Sequence, residues 1–244
     1  MSRTRFPAAD HLHIAVIIPA YNEADMIEGC LEALARQTRL ADEVLVIDNN
    51  CTDATAQLAA RFPFVRVIPE AKQGLIHARN CGFDAVASKA DIICRTDADG
   101  RPSPEWLSVI EEAFLRQSDL VGLTGPADVY GGLSARLDRY TYNVIHVLTK
   151  QLLGGQEYMR GPNTALRGTI WPQLRGEVAL DDRLVHEDMD LSVRAAKYGR
   201  VAFHPAMRVA VHVRTIRKSP RVAQEYIDRW LRTARYLRRV AKEQ

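Results

Sequence analysis

Ile92-Ile93-Cys94-Arg95-Thr96-Asp97-Ala98-Asp99 (residues 92–99) decides the reading of this chain, because only two residues separate a short apolar run from a D-x-D. An apolar run of this kind reads as a buried strand, so the two carboxylates stand where the chain leaves a sheet. Hard cations such as Mg²⁺ and Mn²⁺ take oxygen ligands and share them between one or two carboxylates and substrate phosphates, which is the chemistry this placement suits. An isolated D-x-D also arises in acidic turns, where Asp caps a helix or bonds its own backbone. The surrounding pattern has to decide between the two.

Upstream, strands and helices alternate. Ile14 to Pro19 reads as a buried strand, and Asn22 as the cap of a helix whose apolar positions include Ile27, Leu31 and Leu34. Val44 to Ile47 is a second strand, Asp53 caps a short helix to Arg61, Val65 to Ile68 is a third strand, and Leu75 to Ala87 a helix before the fourth strand at Ile92. This is a parallel βαβ succession, and open sheets of that kind bind ligands at the carboxyl ends of their strands. Those ends carry Pro19-Ala20-Tyr21-Asn22-Glu23, Asp48-Asn49-Asn50 and Asp97-Ala98-Asp99, three polar clusters on one rim. Downstream, Ser103-Pro104 opens a helix to about Arg116, Leu120 to Thr124 is a strand, Ser134 to Leu153 a long helix, and Gly154, Gly155 and Gly161 mark a loop.

At 244 residues, 47% apolar and 26% charged, the chain can bury one full α/β core, and no repeat or linker divides it. Cys30, Cys51, Cys81 and Cys94 follow no metal-binding or redox spacing and are expected to be reduced thiols, which points to the cytoplasm. Neither a signal-peptide pattern in residues 1–13 nor a run of about 18 apolar residues is seen, so export by that route and a membrane span are not expected. The net charge of +3 hides an asymmetry: from Pro205 onward there are eleven Lys/Arg against three acids, an excess of +8 that leaves −5 elsewhere. No nucleic-acid-binding motif accompanies it. Between Ser219 and Lys242, apolar residues at helical spacing alternate with arginines, so this segment reads either as a helix with a solvated basic face or as one that docks peripherally on an anionic membrane.

His186-Glu187-Asp188-Met189-Asp190-Leu191 opens a further helix, with Arg194 one turn beyond Asp190. Acids at a positive helix N-terminus are ordinary capping when met singly. In order, however, the chain reads V-I-I-P-A-Y-N-E (16–23), V-L-V-I-D-N-N-C-T-D (44–53), K-Q-G-L-I-H-A-R-N (72–80), D-A-D (97–99), R-G-P-N-T-A-L-R (160–167) and H-E-D-M-D-L-S-V-R (186–194). This series resembles the family-2 glycosyltransferases of the GT-A fold.

The resemblance implies a Rossmann-like, mostly parallel sheet flanked by helices, with a C-terminal acceptor-side extension. The whole chain would form one domain: a nucleotide-binding half at about 12–124, an acceptor and catalytic half at 125–213, and a basic C-terminal helix at 214–244. Pro19, Tyr21, Glu23 and Asp48 would line the nucleoside pocket, with Lys72 and Arg79 near the nucleotide. Asp97 would face the ribose or a metal, Asp99 would hold Mn²⁺ or Mg²⁺ on the donor diphosphate, and Gly161 and Asn163 would sit beside the donor sugar. Asp188, paired with Glu187, matches the family's catalytic base, and His212 stands where many members carry a further metal ligand, although a strand histidine is as often structural.

The implied reaction is inverting transfer from a nucleotide-diphosphate sugar, by family habit a UDP-sugar, to the hydroxyl of an acceptor such as a lipid-linked compound or glycan. Cys51 departs from the family, which usually has Gly or Ser there. Gln224 and Arg229-Trp230 match only loosely the Q-x-x-R-W of processive members, so a non-processive enzyme is expected. Two other readings stand beside this one. Asp97-Ala98-Asp99-Gly100 also looks like the D-x-D-G of haloacid dehalogenase-type phosphatases, with Asp97 as nucleophile, but it follows a fourth strand rather than a first. The third reading is a non-catalytic nucleotide-sugar-binding protein.

Overall fold

The structure, a computed structural model, describes residues 11–131, 135–181, 185–213 and 220–240. The first half runs β1 (Ile14–Ala20), α1 (Ile27–Ala35), β2 (Glu43–Asp48), α2 (Thr55–Ala59), β3 (Val65–Pro69), α3 (Leu75–Val86) and β4 (Ile92–Arg95). Then come β5 (Arg101–Pro102), α4 (Trp106–Arg116), β6 (Leu120–Thr124), β7 (Ala127–Tyr130), α5 (Ala135–Leu152) and β8 (Thr164–Arg167). A 3-10 turn at Gly168–Ile170 leads into α6 (Trp171–Arg175), followed by α7 (Glu187–Ala195), β9 (Arg200–Phe203), β10 (Val209–His212) and α8 (Pro220–Val240).

Seven strands form the central sheet in the order β3-β2-β1-β4-β8-β6-β9, and β5-β10-β7 form a small second sheet. All neighbours in the large sheet are parallel except at β8, which runs antiparallel to both β4 and β6. This is the mostly parallel, helix-flanked α/β architecture that the motifs imply. β1 shows why the sheet sits at the centre. All seven of its residues are buried, and they alternate between two cores: Ile14, Val16 and Ile18 pack with α1 and α4, while Ala15 and Ile17 pack with α3, α6 and α7. A strand covered on both faces has no need of a polar side, which is why it reads as a continuous apolar run.

The covering helices meet the sheet closely. A Cβ on Gly82 would lie 2.3 Å from Cγ2 of Ile17, so glycine is what lets α3 rest directly on β1. On the same face Phe83 and Trp171 meet edge to face with ring centroids 4.9 Å apart, a geometry worth roughly 0.5–1.5 kcal/mol beyond area burial.

Three local expectations are corrected. Asn22 does not cap α1, which starts at Ile27. Its φ is 53°, and its side chain instead accepts from the Thr52 N–H, stitching two rim loops together. α4 begins at Trp106, two residues after Pro104, with the Trp106 N–H bonded to the Ser103 carbonyl. Residues 160–167, which the sequence reading gave only as a motif beside a glycine-bearing loop, hold β8, and β8 lies inside the sheet. The helix expected from Ser134 is α5, although Ser134 itself lies outside the described residues, as do residues 214–219 and 241–244 of the expected basic helix. Among the described residues no helix is long and apolar enough to cross a membrane.

Candidate active site

The parallel strands β1, β2 and β4 deliver their carboxyl ends to one cleft of about 530 Å³, lined among others by Pro19, Tyr21, Glu23, Asn49, Asp97 and Asp99. Its walls are held by side chains that bond backbone. The Asp48 carboxylate accepts from the Cys51 N–H at 2.9 Å and fixes the turn after β2. Cys51 explains its own departure from glycine or serine: its sulfur donates to the Ala20 carbonyl and accepts from the Asn22 N–H, joining the ends of β1 and β2. Asn49, to which the sequence reading gave no role, donates to the Glu70 and Lys72 carbonyls and accepts from the Gly74 N–H, and so closes the third side. Tyr21 lines the cleft and is half-exposed.

The register of β4 against β8 pairs Arg95 with Thr164, which brings the turn from Arg160 to Asn163 to the same rim as Asp97. Arg95 is the hinge of the site. It donates to Asp97 Oδ1 at 2.9 Å and to Glu187 Oε1, while Arg79 donates to Glu187 Oε2 at 2.6 Å. Burial works against the Glu187 charge, but Arg95 and Arg79 outweigh it and hold the carboxyl below the ordinary glutamate range. Gly161 lies so near Arg95 that a Cβ there would be 3.0 Å from the guanidinium. The two acidic motifs, 90 residues apart in sequence, are therefore joined through one buried arginine.

Asp188 occupies the first turn of α7. Its carboxylate accepts from the Met189 N–H at 2.8 Å and, at 3.4 Å, from the Gly161 N–H. Burial, with the neighbouring Glu187 charge adding to it, pushes its pKa up to about 6, and Arg95 and the two N–H groups only partly oppose this. A carboxylate of that pKa is half-protonated near pH 6, the range in which a general base both ionises and retains basicity. Burial also raises the Asp97 pKa, and Asp99 and Glu187 add to the rise against Arg95. Two acids crowded in this way favour a cation between them.

Several expected ligand contacts are not brought to the cleft. Arg79 is buried beneath Glu187, and Glu187 is locked between two arginines, so both are braces for the site. Asn163 is fully buried: it accepts from the Trp106 indole N–H at 2.8 Å and donates to the Pro126 and Met207 carbonyls, pinning β8 to α4 and the small sheet. Lys72 lines a separate hollow with Glu70 and His77. His212 packs edge-on against Tyr130 at 5.1 Å, and it is the Tyr130 hydroxyl that reaches the Asp99 carbonyl. Among the described residues no group of three His, Cys, Asp or Glu stands together as a metal cage.

A mostly parallel sheet with one reversed strand, a D-x-D at the carboxyl end of its fourth strand and an acidic helix start across the rim define a GT-A fold. Residues 15–168 match the family model described as glycosyl transferase family 2, and the chain belongs to that family. It is 26% identical over 211 residues, 79% of its length and 49% of the relative's, to a Bacillus subtilis (strain 168) protein described as probable glycosyltransferase YdaM. Among solved structures it resembles the mannosyltransferase PcManGT of Pyrobaculum calidifontis in complex with GDP-Man and Mn²⁺, with a TM-score of 0.63, 21% identity, and coverage of 86% of this chain and 60% of that one. It also resembles S. aureus TarS residues 1–349 in complex with UDP-GlcNAc, with a TM-score of 0.64, 16% identity and coverage of 87% and 61%. The chain thus spans about half the length of the curated relative and about three fifths of these solved chains.

Proposed function

We propose that this chain transfers a sugar, with inversion, from a nucleoside-diphosphate sugar to an acceptor hydroxyl, with Asp188 as general base and Asp97 and Asp99 as the residues that hold a divalent cation. The observation that carries the reading is the Arg95 bridge. Arg95 ties Asp97 of the D-x-D to Glu187, the residue before Asp188, whose pKa is pushed up to about 6, and this linkage of the two acidic motifs supports the reading.

Pro19, Tyr21 and Glu23 would receive the nucleoside, with Tyr21 packing on the base and Asp48 accepting from it through the oxygen not bonded to Cys51. Two carboxylates suffice for Mn²⁺ or Mg²⁺ when waters and diphosphate oxygens complete the shell. Bound there, the cation would offset the charge of the departing diphosphate. The acceptor oxygen bonds to the anomeric carbon as the bond to the diphosphate breaks, and Asp188 takes the hydroxyl proton. Inversion follows from this single displacement, with no covalent enzyme intermediate.

UDP is the nucleotide put forward, as in the TarS complex, and GDP, as in the mannosyltransferase complex, is its competitor. A phosphatase reading finds no support, because Asp97 is paired to Arg95 in a family-2 domain. The test is a panel of nucleotide sugars with Mn²⁺ or Mg²⁺, scored by slow metal-dependent release of the nucleoside diphosphate. Turnover of at least one donor is expected. Binding without any turnover, with or without candidate acceptors, would leave a nucleotide-sugar-binding protein instead.

A further inference from the structure

α3 stands between two concave sites. Leu75 and Ala78 line the cleft of Asp97 and Asp99, whereas His77, Asn80, Cys81 and Asp84 line a second hollow of about 630 Å³. Those four residues recur at helical spacing, so they form one stripe of α3. Glu70 and Lys72, after β3, close one side of the hollow, and Arg175 and Leu180, at and beyond the end of α6, close the other. Its volume lies in the range of small-molecule sites, roughly 300–1,000 Å³.

Asn80 is the polar group that the fold leaves unfinished there. It is 2% exposed, and its side-chain oxygen accepts from Nε and Nη2 of Arg79 at 3.0 and 2.8 Å. A guanidinium only donates, so these bonds fix which end of the amide is oxygen. Nδ2 is left with no partner among the described residues. A buried donor in that state is costly, and each one calls for an explanation.

The groups around Asn80 narrow the ligand. Asp84 accepts from the Trp171 indole N–H at 2.7 Å and from Arg175 at 2.8 Å, and Glu70 accepts from the Lys72 N–H at 2.7 Å. The two carboxylates balance the charges of Lys72 and Arg175. Burial, with Glu70 adding to it, raises the Cys81 pKa, so the thiol stays protonated and brings no further charge. With charges balanced, an ion gains little here. A hydroxyl suits the wall better, because its oxygen accepts from an amide or cationic donor while its proton goes to a carboxylate. Ala85 and the exposed Leu180 add apolar edges. Several hydroxyls on a ring with apolar C–H edges make a sugar.

We propose that the hollow between α3 and α6 is a saccharide-binding site separate from the cleft of Asp97 and Asp99. A ring hydroxyl accepts from Asn80 Nδ2, and its neighbours meet Lys72 and His77 on one side and Asp84 and Arg175 on the other. The site requires neither nucleotide nor metal. It is nonetheless tied to the catalytic rim, since Asn80 holds Arg79 and Arg79 holds Glu187 beside Asp188.

The experiment is heteronuclear NMR of the full chain, without nucleotide or metal. The probes are the methyl glycosides of glucose, galactose, mannose and N-acetylglucosamine, then lactose, cellobiose and inorganic phosphate. The side-chain NH₂ pair of Asn80, assigned by its loss in Asn80→Asp, is expected to shift saturably with at least one saccharide at millimolar concentration. Asp keeps an oxygen for Arg79 and removes the donor. Asn80→Asp should therefore bind that saccharide about tenfold or more weakly, read on the backbone amides of α3, and His77→Ala should weaken it in the same direction. Melting temperature and the thermal shift with UDP and Mn²⁺, measured on each chain, report folding and the other cleft, so failure of the two sites is distinguishable. No shift of the Asn80 pair with any saccharide, a shift with phosphate alone, or saccharide binding undiminished in both folded variants would overturn the proposal.

Discussion

Asp188→Asn separates the two things this carboxylate does. Folded, its pKa is about 6 against an ordinary value of 3.8. Between those values the native chain holds a proton that the unfolded chain has released, so this group's contribution to stability falls as pH rises through the window. Above pH 6 the native state bears the full cost of the buried charge. A difference of about two units corresponds to roughly 3 kcal/mol. Asn removes the charge and keeps an acceptor for the Met189 N–H, while the bonds to Met189 and Gly161 weaken, leaving a net gain of about 1–2 kcal/mol. For a chain of this size that is a rise in melting temperature of roughly 2–8 °C at pH 7.5, shrinking toward pH 4.

Activity moves the other way. The base must be ionised, so wild-type kcat/KM should climb through pH 6 and level above it, whereas the Asn variant should lack that limb and fall by about 10²–10⁴. Released nucleoside diphosphate, measured from pH 5 to 8.5, and thermal melts over the same range are the assays. Normal transfer by Asp188→Asn would refute the base, and a variant no more stable at pH 7.5 than wild type would refute the buried-charge argument.

Arg95→Met leaves Asp97 without its arginine and Glu187 with Arg79 alone, so denaturant unfolding should show a loss of about 3 kcal/mol. Because Arg95 favours the ionised form of Asp188, the acidic limb of the pH profile should also shift upward, which a purely structural brace would not cause. Asn163→Ala should lower stability by roughly 2–4 kcal/mol, since it strands the Trp106 indole N–H and two buried carbonyls. Its KM for the donor sugar should stay unchanged; a selective rise in KM without loss of stability would return Asn163 to the donor site.

What was legible in the sequence follows from how the chain is buried. β1, β2 and β4 lie between two layers, so their apolar runs announce them, and the parallel succession places their ends on one rim. β8 was hidden because its strand is four residues long, flanked by arginine, proline and asparagine, and reversed, so neither length nor alternation marks it. β9, at the sheet edge, is only partly buried, and its apolar stretch is three residues long, Val201-Ala202-Phe203, with no buried residue to mark it. The polar residues divided for another reason. Asp97 and Asp99 sit at a strand end, where position alone points to a cleft, whereas Arg79 and Glu187 find their ion-pair partners 92 or more residues away and the Asn163 side chain finds its partners 37 or more residues away. Sequence shows such groups as chemistry-bearing without showing that they are buried and satisfied by one another. Asn49 was missed for the same reason, since its three partners are backbone atoms of a distant loop.

The central claim is tested most directly by titrating UDP and GDP into wild type and Asp99→Ala, with Mn²⁺ and with chelator, by calorimetry or thermal shift. At about 100 times its dissociation constant the correct nucleotide should stabilise the wild-type fold by roughly 2.7 kcal/mol in the presence of Mn²⁺. Chelator or Asp99→Ala should remove the metal-dependent part, because one remaining carboxylate anchors the cation poorly. A folded wild-type chain that binds neither nucleotide with Mn²⁺, or that binds one equally well with chelator and in Asp99→Ala, would contradict the account.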